Sequence, residues 1–143
     1  MPNWVQNNLT IKGDSEIVAT CLEWCCCNWG TEWNASEVGI FNTGDEAIFY
    51  FQTTRDYAAS FVKRLSKKFP DLSFTISFAD EDLGDNCGEF TFINGIEQPD
   101  GFYYDYSDWK DNPELKREAI AFACNVLGYD PEEYLEDENN EEE

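Results

Sequence analysis

The sequence predicts an α+β fold: a two-layer sandwich in which an antiparallel-rich sheet carries helices on one face, followed by a C-terminal helix and an acidic tail. Three observations predict it. Several segments alternate apolar and polar residues with a period of two, as strands with one wet face do. Between them lie segments whose apolar residues fall at helical spacing along one stripe. The 143-residue chain then ends in a run of carboxylates with no base among them.

The first strand places Val5, Leu9 and Ile11 on one face and Gln6, Asn8, Thr10 and Lys12 on the other. Gly13 and Asp14 break it. Asp14 is set to N-cap a helix whose stripe is Ile17, Val18, Cys21, Leu22 and Cys25. "NWGTEWNA" reads as the loop that follows, with Gly30 turning the chain and the flanking tryptophans pinning it to the fold. "EVGIF" is a short strand, and "EAIFYFQTT", dense in β-formers, a stronger one. Residues 55–69 form a second amphipathic helix with Ala58, Phe61, Val62, Leu65 and Phe69 inside. Lys63, Arg64, Lys67 and Lys68 crowd its C-terminal half, where they complement the helix dipole. Pro70 stops it.

"DLSFTISFA" alternates cleanly, with Leu72, Phe74, Ile76 and Phe78 in and Ser73, Thr75 and Ser77 out. "DEDLGDNCG" is a turn. "GEFTFINGI" and "GFYYDY" make a hairpin around "NGIEQPDG", which is rich in turn formers. The last long helix has Asn112 as N-cap and Pro113 at its first position. Leu115, Ala119, Phe122, Ala123 and Val126 line its inner stripe, and Gly128 ends it. Asp130 and Glu133 form a capping box for one more turn, and "DENNEEE" is expected to be disordered. The chain thus divides into one folded body, 1–129, and an acidic tail, 130–143.

The order β-α-β(β)-α-β-β(β)-α is that of a ferredoxin-like sandwich, built on a split β-α-β unit. "MPNWVQNNLTIKGD", "NWGTEWNA", "LSKKFPDLSFTISFADED" and "GEFTFINGI" also follow one another here in the order found in YubB-like proteins, which the chain resembles over residues 1–105. Two places depart from the pattern. Glu32 stands where a basic residue is common, and "TTRDYA" where a Trp-Pro-containing segment is common. The resemblance implies a ferredoxin-like domain and a setting on plasmids, phages and integrated elements, rather than a reaction.

Thirty acids against nine bases give a net charge of −21. The tail from Asp130 onward holds nine of the acids, so the body is strongly negative as well. Such a surface repels nucleic acid and anionic lipid and attracts a basic partner. No run of eighteen apolar residues is present, so no membrane span is expected. No basic-then-apolar leader opens the chain, so it is expected in the cytosol with its cysteines reduced, which in the setting the resemblance implies is the cytoplasm of a bacterial host.

The stretch that looks most like chemistry is "CCCNWGTEWN", residues 25–34. Adjacent helical residues point roughly 100° apart, so Cys25, Cys26 and Cys27 do not converge on one ion. The chain has no histidine to complete a zinc set. Cys21 and Cys25 share a face, and Cys21 and Cys124 would meet if their helices packed together. The carboxylates of "DEDLGDNCGE" miss the EF-hand spacing: Gly84 is at the fifth position and Thr91 stands where the closing glutamate belongs. No nucleophile elbow, P-loop or dinucleotide fingerprint is present. Neither a cofactor, a metal nor a catalytic residue is therefore assigned. Trp24, Trp29, Trp33, Tyr103, Tyr104, Tyr106 and Trp109 are aromatic enough for a base-stacking platform, but no basic residues interleave with them, so direct nucleic-acid binding is not expected.

The expectation is a non-enzymatic binding protein that occupies the basic nucleic-acid-binding surface of a host protein by charge mimicry. An anti-defence, anti-CRISPR-like inhibitor is the leading form, with a CRISPR effector as the example partner. The contact candidates are Asp80, Glu81, Asp82, Asp85 and Glu89 around the acidic turn, Asp105 and Asp108 at the hairpin's end, and Glu132, Glu133, Glu136, Asp137 and Glu138 in the tail. Trp29, Glu32 and Trp33 are candidates for an anchoring loop. The alternatives are an accessory protein that binds a small ligand or single strand through its aromatic loop or open sheet face, and a metal-dependent enzyme.

Overall fold

The sheet grows outward from β1 (Trp4–Lys12), the first strand in sequence and a central one in space. The computed structural model describes residues 4–32, 36–54 and 59–134, the side chains of 26–32, 36–41 and 54 excepted. The β1 alternation buries Val5, Asn7, Leu9 and Ile11 on one face and leaves Gln6, Asn8 and Thr10 half-covered on the other. β3 (Glu46–Thr54) pairs with one edge of β1 and β4 (Ser73–Asp80) with the other, both antiparallel. β2 (Ser36–Asn42) lies outside β3, with a register shift between Ser36 and Gly39.

β5 (Cys87–Ile93) lies outside β4. Its far edge takes two short strands, β6 (Ile96–Glu97) and β7 (Phe102–Tyr104). The seven strands run β2-β3-β1-β4-β5-β6, with β7 beside β5. α1 (Ser15–Glu32) follows β1 and α2 (Ala59–Lys68) follows β3, so the first six elements make the ferredoxin-like unit and β5 to β7 extend it.

Burial of apolar surface joins the layers. Leu9, Ile11, Phe49, Phe51, Phe74 and Ile76 on the sheet pack against Val18, Cys21 and Cys25 of α1 and Phe61, Val62 and Leu65 of α2. Each large side chain fully buried this way contributes about 1.5–3 kcal/mol.

Helices on one face describes α1 and α2. The C-terminal helix, α4 (Pro113–Leu127), lies across the opposite face. There Ala79, Cys87 and Ala123 form a small second core, with Tyr104, Phe122 and Val126 around it. Phe122 meets Phe102 edge-on at 5.0 Å, and Asn8 Nδ2 donates to the Val126 carbonyl at 3.3 Å. Cys21 and Cys124 therefore stand on opposite sides of the sheet, and the helix pairing that would bring them together does not occur. The caps of α4 are those its sequence predicts. Asn112 Oδ1 accepts from Leu115 N at 3.2 Å, Pro113 opens the helix, and Gly128 takes φ 81° to close it.

Two local expectations change. α1 runs through Gly30 to Glu32 instead of ending before "NWGTE". A mid-helix glycine costs only about 1 kcal/mol, which a helix docked through Val18, Cys21 and Cys25 absorbs. The hairpin after β5 closes at Asn94 (φ 51°) and Gly95 (φ 76°), the two left-handed positions of a type I′ turn, with Ile93 opposite Ile96. Of the rest of "NGIEQPDG", Ile96 and Glu97 are β6 and residues 98–101 lead on to β7. Residues 131–134 add the expected helical turn, where Asp130 Oδ1 accepts from Glu132 N at 3.0 Å. The readings of Arg55, Ala58 and "DENNEEE" lie outside the described residues.

Candidate functional site

The alternation of β4 ends in three consecutive buried residues, Phe78, Ala79 and Asp80. Asp80 is only 6% exposed, and its carboxylate organises the acidic turn from within. Oδ1 accepts from Asp82 N at 3.0 Å and Oδ2 from Asn86 Nδ2 at 3.3 Å. Asp82 O in turn accepts from Asp85 N at 3.1 Å. Asp80, one of the contact candidates, is thus buried and serves the turn.

The turn is anchored at Gly84. Its carbonyl accepts from the indole Nε1 of buried Trp109 at 2.6 Å. At φ 88° it packs against Trp109, Ala119 and Ile120, so both conformation and space favour glycine there. Trp109 closes α3 (Tyr106–Trp109), a single turn capped by Asp105, whose Oδ1 accepts from Ser107 N at 2.8 Å. Asp85 Oδ1 accepts from Tyr106 N at 2.9 Å. That bond brings together two acidic segments about twenty residues apart in sequence.

The result is a largely acidic end of the sheet, to which Lys116 also belongs, its Nζ 5.6 Å from the Trp109 ring centroid. Glu81, Asp82 and Asp108 are exposed on it; Asp85 and Asp105 are half-buried, with their carboxylates engaged in the bonds above. Glu81 also grips the start of β1, since Oε1 accepts from Trp4 N at 3.2 Å and its own N–H donates to Trp4 O at 3.1 Å. Exposed Asp111 and Glu114, which the sequence alone did not single out, sit at the α3–α4 junction beside this surface. Trp4, Tyr103 and Tyr106 are 43%, 44% and 54% exposed around it. The interleaving of acids and aromatics in "GFYYDYSDWKD" is the signal that would have pointed to this mixed rim, because aromatics are enriched where proteins bind proteins.

The other candidates lie elsewhere. Glu89 is half-buried on the face that α4 crosses, and its Oε1 accepts from Ser77 Oγ at 2.7 Å. Glu132 and Glu133 are exposed, but beyond the far end of α4, which begins beside α3 and ends over β1. Glu136, Asp137, Glu138 and Trp33 lie outside the described residues; Trp29 and Glu32 are in α1, and their side chains lie outside the described ones too.

The described aromatics make no common platform. Trp24 packs on Phe61 between α1 and α2, Tyr103 on Phe78, Tyr104 on Phe122 across the sheet, and Trp109 is buried.

Four cysteines are described, and all are buried. Burial, reinforced by Asp85 and Asp80, pushes the Cys87 thiol up to about 12. A hydrogen bond with Cys21, then burial, raises Cys25. Burial and Asp130 raise Cys124. These thiols stay protonated at neutral pH, which makes them poor nucleophiles and poor metal ligands. Among the described residues no three Cys, Asp or Glu side chains are gathered to hold a metal ion, and no helix is long and apolar enough to cross a membrane.

One comparison with known proteins gives a match. The family model described as the ferredoxin-like domain in Api92-like protein covers residues 28–117, more than half of the chain, from the end of α1 into α4. No curated protein and no solved structure matches.

Proposed function

The chain belongs to the family of ferredoxin-like domains in Api92-like proteins, and we propose that this member is a non-catalytic binding protein that covers the basic nucleic-acid site of a bacterial host protein. The observation that carries the reading is the acidic end of the sheet, where the Asp85–Tyr106 bond joins the β4–β5 turn to α3. Exposed carboxylates on a fixed scaffold present spaced negative charge, as a nucleic-acid backbone does. Exposed aromatics between them supply apolar contact that a nucleic-acid mimic needs once charge has steered the encounter.

The resemblance to YubB-like proteins adds a mobile-element setting. A defence nuclease, a CRISPR effector in particular, is then the natural target, and the host cytoplasm the place of action. The carboxylates neutralise the basic groove, and the host protein's guide or target strand is excluded.

The test passes a bacterial lysate over the immobilised chain at low salt. Retained proteins are expected to be basic and nucleic-acid-binding, to elute between about 50 and 200 mM salt, and to be displaced by duplex DNA or RNA. Neutralising the exposed charges with Glu81→Gln, Asp82→Asn and Asp108→Asn should weaken retention of the same protein. Retention of neutral or acidic proteins only, insensitive to salt, overturns the reading.

A further inference from the structure

We propose that Asn94–Gly95 is a self-modification site: the amide nitrogen of Gly95 closes on the Asn94 side chain to give a succinimide, which water opens to aspartate or isoaspartate, and Ser66 sets the rate by holding that nitrogen. The chain contains a single Asn–Gly pair, and it stands at this turn. Glycine hinders such a ring closure least, because no side chain stands beside the attacking nitrogen.

The reaction balances within the chain and the solvent. A bond forms between Gly95 N and Asn94 Cγ, and the Cγ–Nδ2 bond breaks. The side-chain nitrogen leaves as ammonia, taking the proton from Gly95 N. Water then adds to one of the two ring carbonyls. Addition at Cγ restores the ordinary backbone, with aspartate in place of asparagine. Addition at the main-chain carbonyl reroutes the backbone through the side chain, as isoaspartate. Neither an oxidant nor an enzyme is needed.

The fold holds the nucleophile. Asn94 (φ 51°) is exposed at the hairpin tip, but Gly95 (φ 76°) is buried against α2. Gly95 N donates to Ser66 Oγ at 2.8 Å, and Ser66 Oγ in turn donates to the Lys63 carbonyl at 2.9 Å. Ser66 is fully buried, so this relay is shielded from water. The Lys67 stem lies over Gly95 so closely that a Cβ there would collide with it. Ile93 pairs with Ile96 and Phe92 with Glu97, which fixes both arms of the turn. Ring closure needs the Asn94–Gly95 peptide to rotate until its nitrogen faces Cγ, and needs that nitrogen to give up its proton. Either event breaks the bond to Ser66. The reaction is therefore slow while the hairpin is docked and fast once it lifts from α2.

The product does not fit back. Isoaspartate adds a methylene to the main chain within a two-residue turn, which loses its type I′ geometry and with it the bond to Ser66. Each opening that goes to completion is recorded covalently. The site lies at the opposite end of β5 from the acidic turn, so the record is independent of the proposed partner.

The test incubates the whole chain at mildly alkaline pH, folded and in guanidinium chloride, and follows the Asn94 peptide by mass spectrometry for conversion of amide to acid. Hydrogen exchange of the Gly95 N–H is measured on the folded chain in parallel. The folded chain should convert at least about tenfold more slowly than the unfolded one, with the Gly95 N–H protected at least about tenfold. Ser66→Ala should quicken conversion of the folded chain about fivefold, the worth of one hydrogen bond, and leave the rate in guanidinium unchanged. The exchange measurement decides the matter if that variant does not fold. The proposal fails if the unfolded chain does not convert at Asn94, if folded and unfolded chains convert alike, if the Gly95 N–H exchanges freely while conversion stays slow, or if Ser66→Ala folds and converts no faster.

Discussion

Gly88 in β5 has no room for a side chain. A Cβ there would collide with the Phe102 carbonyl and press on Tyr103 Cα in the facing strand β7. Gly88→Ala should therefore lower stability by about 1–3 kcal/mol in denaturant unfolding, the usual cost of overpacking. Cys87 beside it gives a pH signature. Its thiol is raised to about 12 in the folded chain, while an unfolded thiol ionises near 9. Below the unfolded value both states keep the proton, and the stability is fully present. As pH rises from 9 toward 12 the unfolded state loses the proton first, so stability should fall by at most about 1.4 kcal/mol per unit. The slope between pH 8 and 10 should be shallower in Cys87→Ala; an equal slope would mean that other groups carry the effect. Residue-level signals also mark where reading the sequence stops. Asp80 looks like its neighbours in "DEDLGD", and only the strand that ends beneath it decides that this carboxylate is buried while Asp82 is exposed.

Among the elements, α4 depends on its caps and on side-chain bonds from the sheet, from Asn8 to the Val126 carbonyl and from Cys87 Sγ to the Ala119 carbonyl. Asn112→Ala removes the acceptor for Leu115 N and should cost about 1 kcal/mol. Asn8→Ala removes the donor to Val126 O, and the clearest readout is faster amide exchange in α4 than in α2. If exchange in α4 does not change, apolar packing alone holds the helix. These elements show what was legible. Strands β1 and β4 were readable because alternation records burial on one face directly. α4 was readable as a helix, through Asn112, Pro113 and Gly128, but an apolar stripe says only that a helix is covered. It does not say which face of the sheet covers it. Gly30 misled for a related reason. A glycine between two tryptophans looks like a loop, yet α1 runs past it to Glu32. The acidic surface was half legible: both segments stood out by composition, but the Asp85–Tyr106 contact that joins them is tertiary.

Across the whole molecule, charge sets the response to salt. A chain at −21 repels itself when folded more than when expanded. Raising NaCl from about 20 to 300 mM shortens the reach of that repulsion from roughly 20 Å to 6 Å and should raise the melting temperature by several degrees. A melting temperature that stays flat or falls would place the stabilising weight on ion pairs. Composition argues against that, because nine bases leave most of thirty acids unmatched. The Lys12–Glu46 pair, at 3.6 Å, is moreover exposed and adds little.

The position of β1 also sets a timetable. It leaves the ribosome before both of its neighbours, β3 and β4, which end at Thr54 and Asp80. At roughly 5–20 residues per second, translation leaves both its edges unpaired for several seconds. During that wait β1 is a bare template for any other strand in the cell. Its register is then settled late, when β4 arrives to close the second edge.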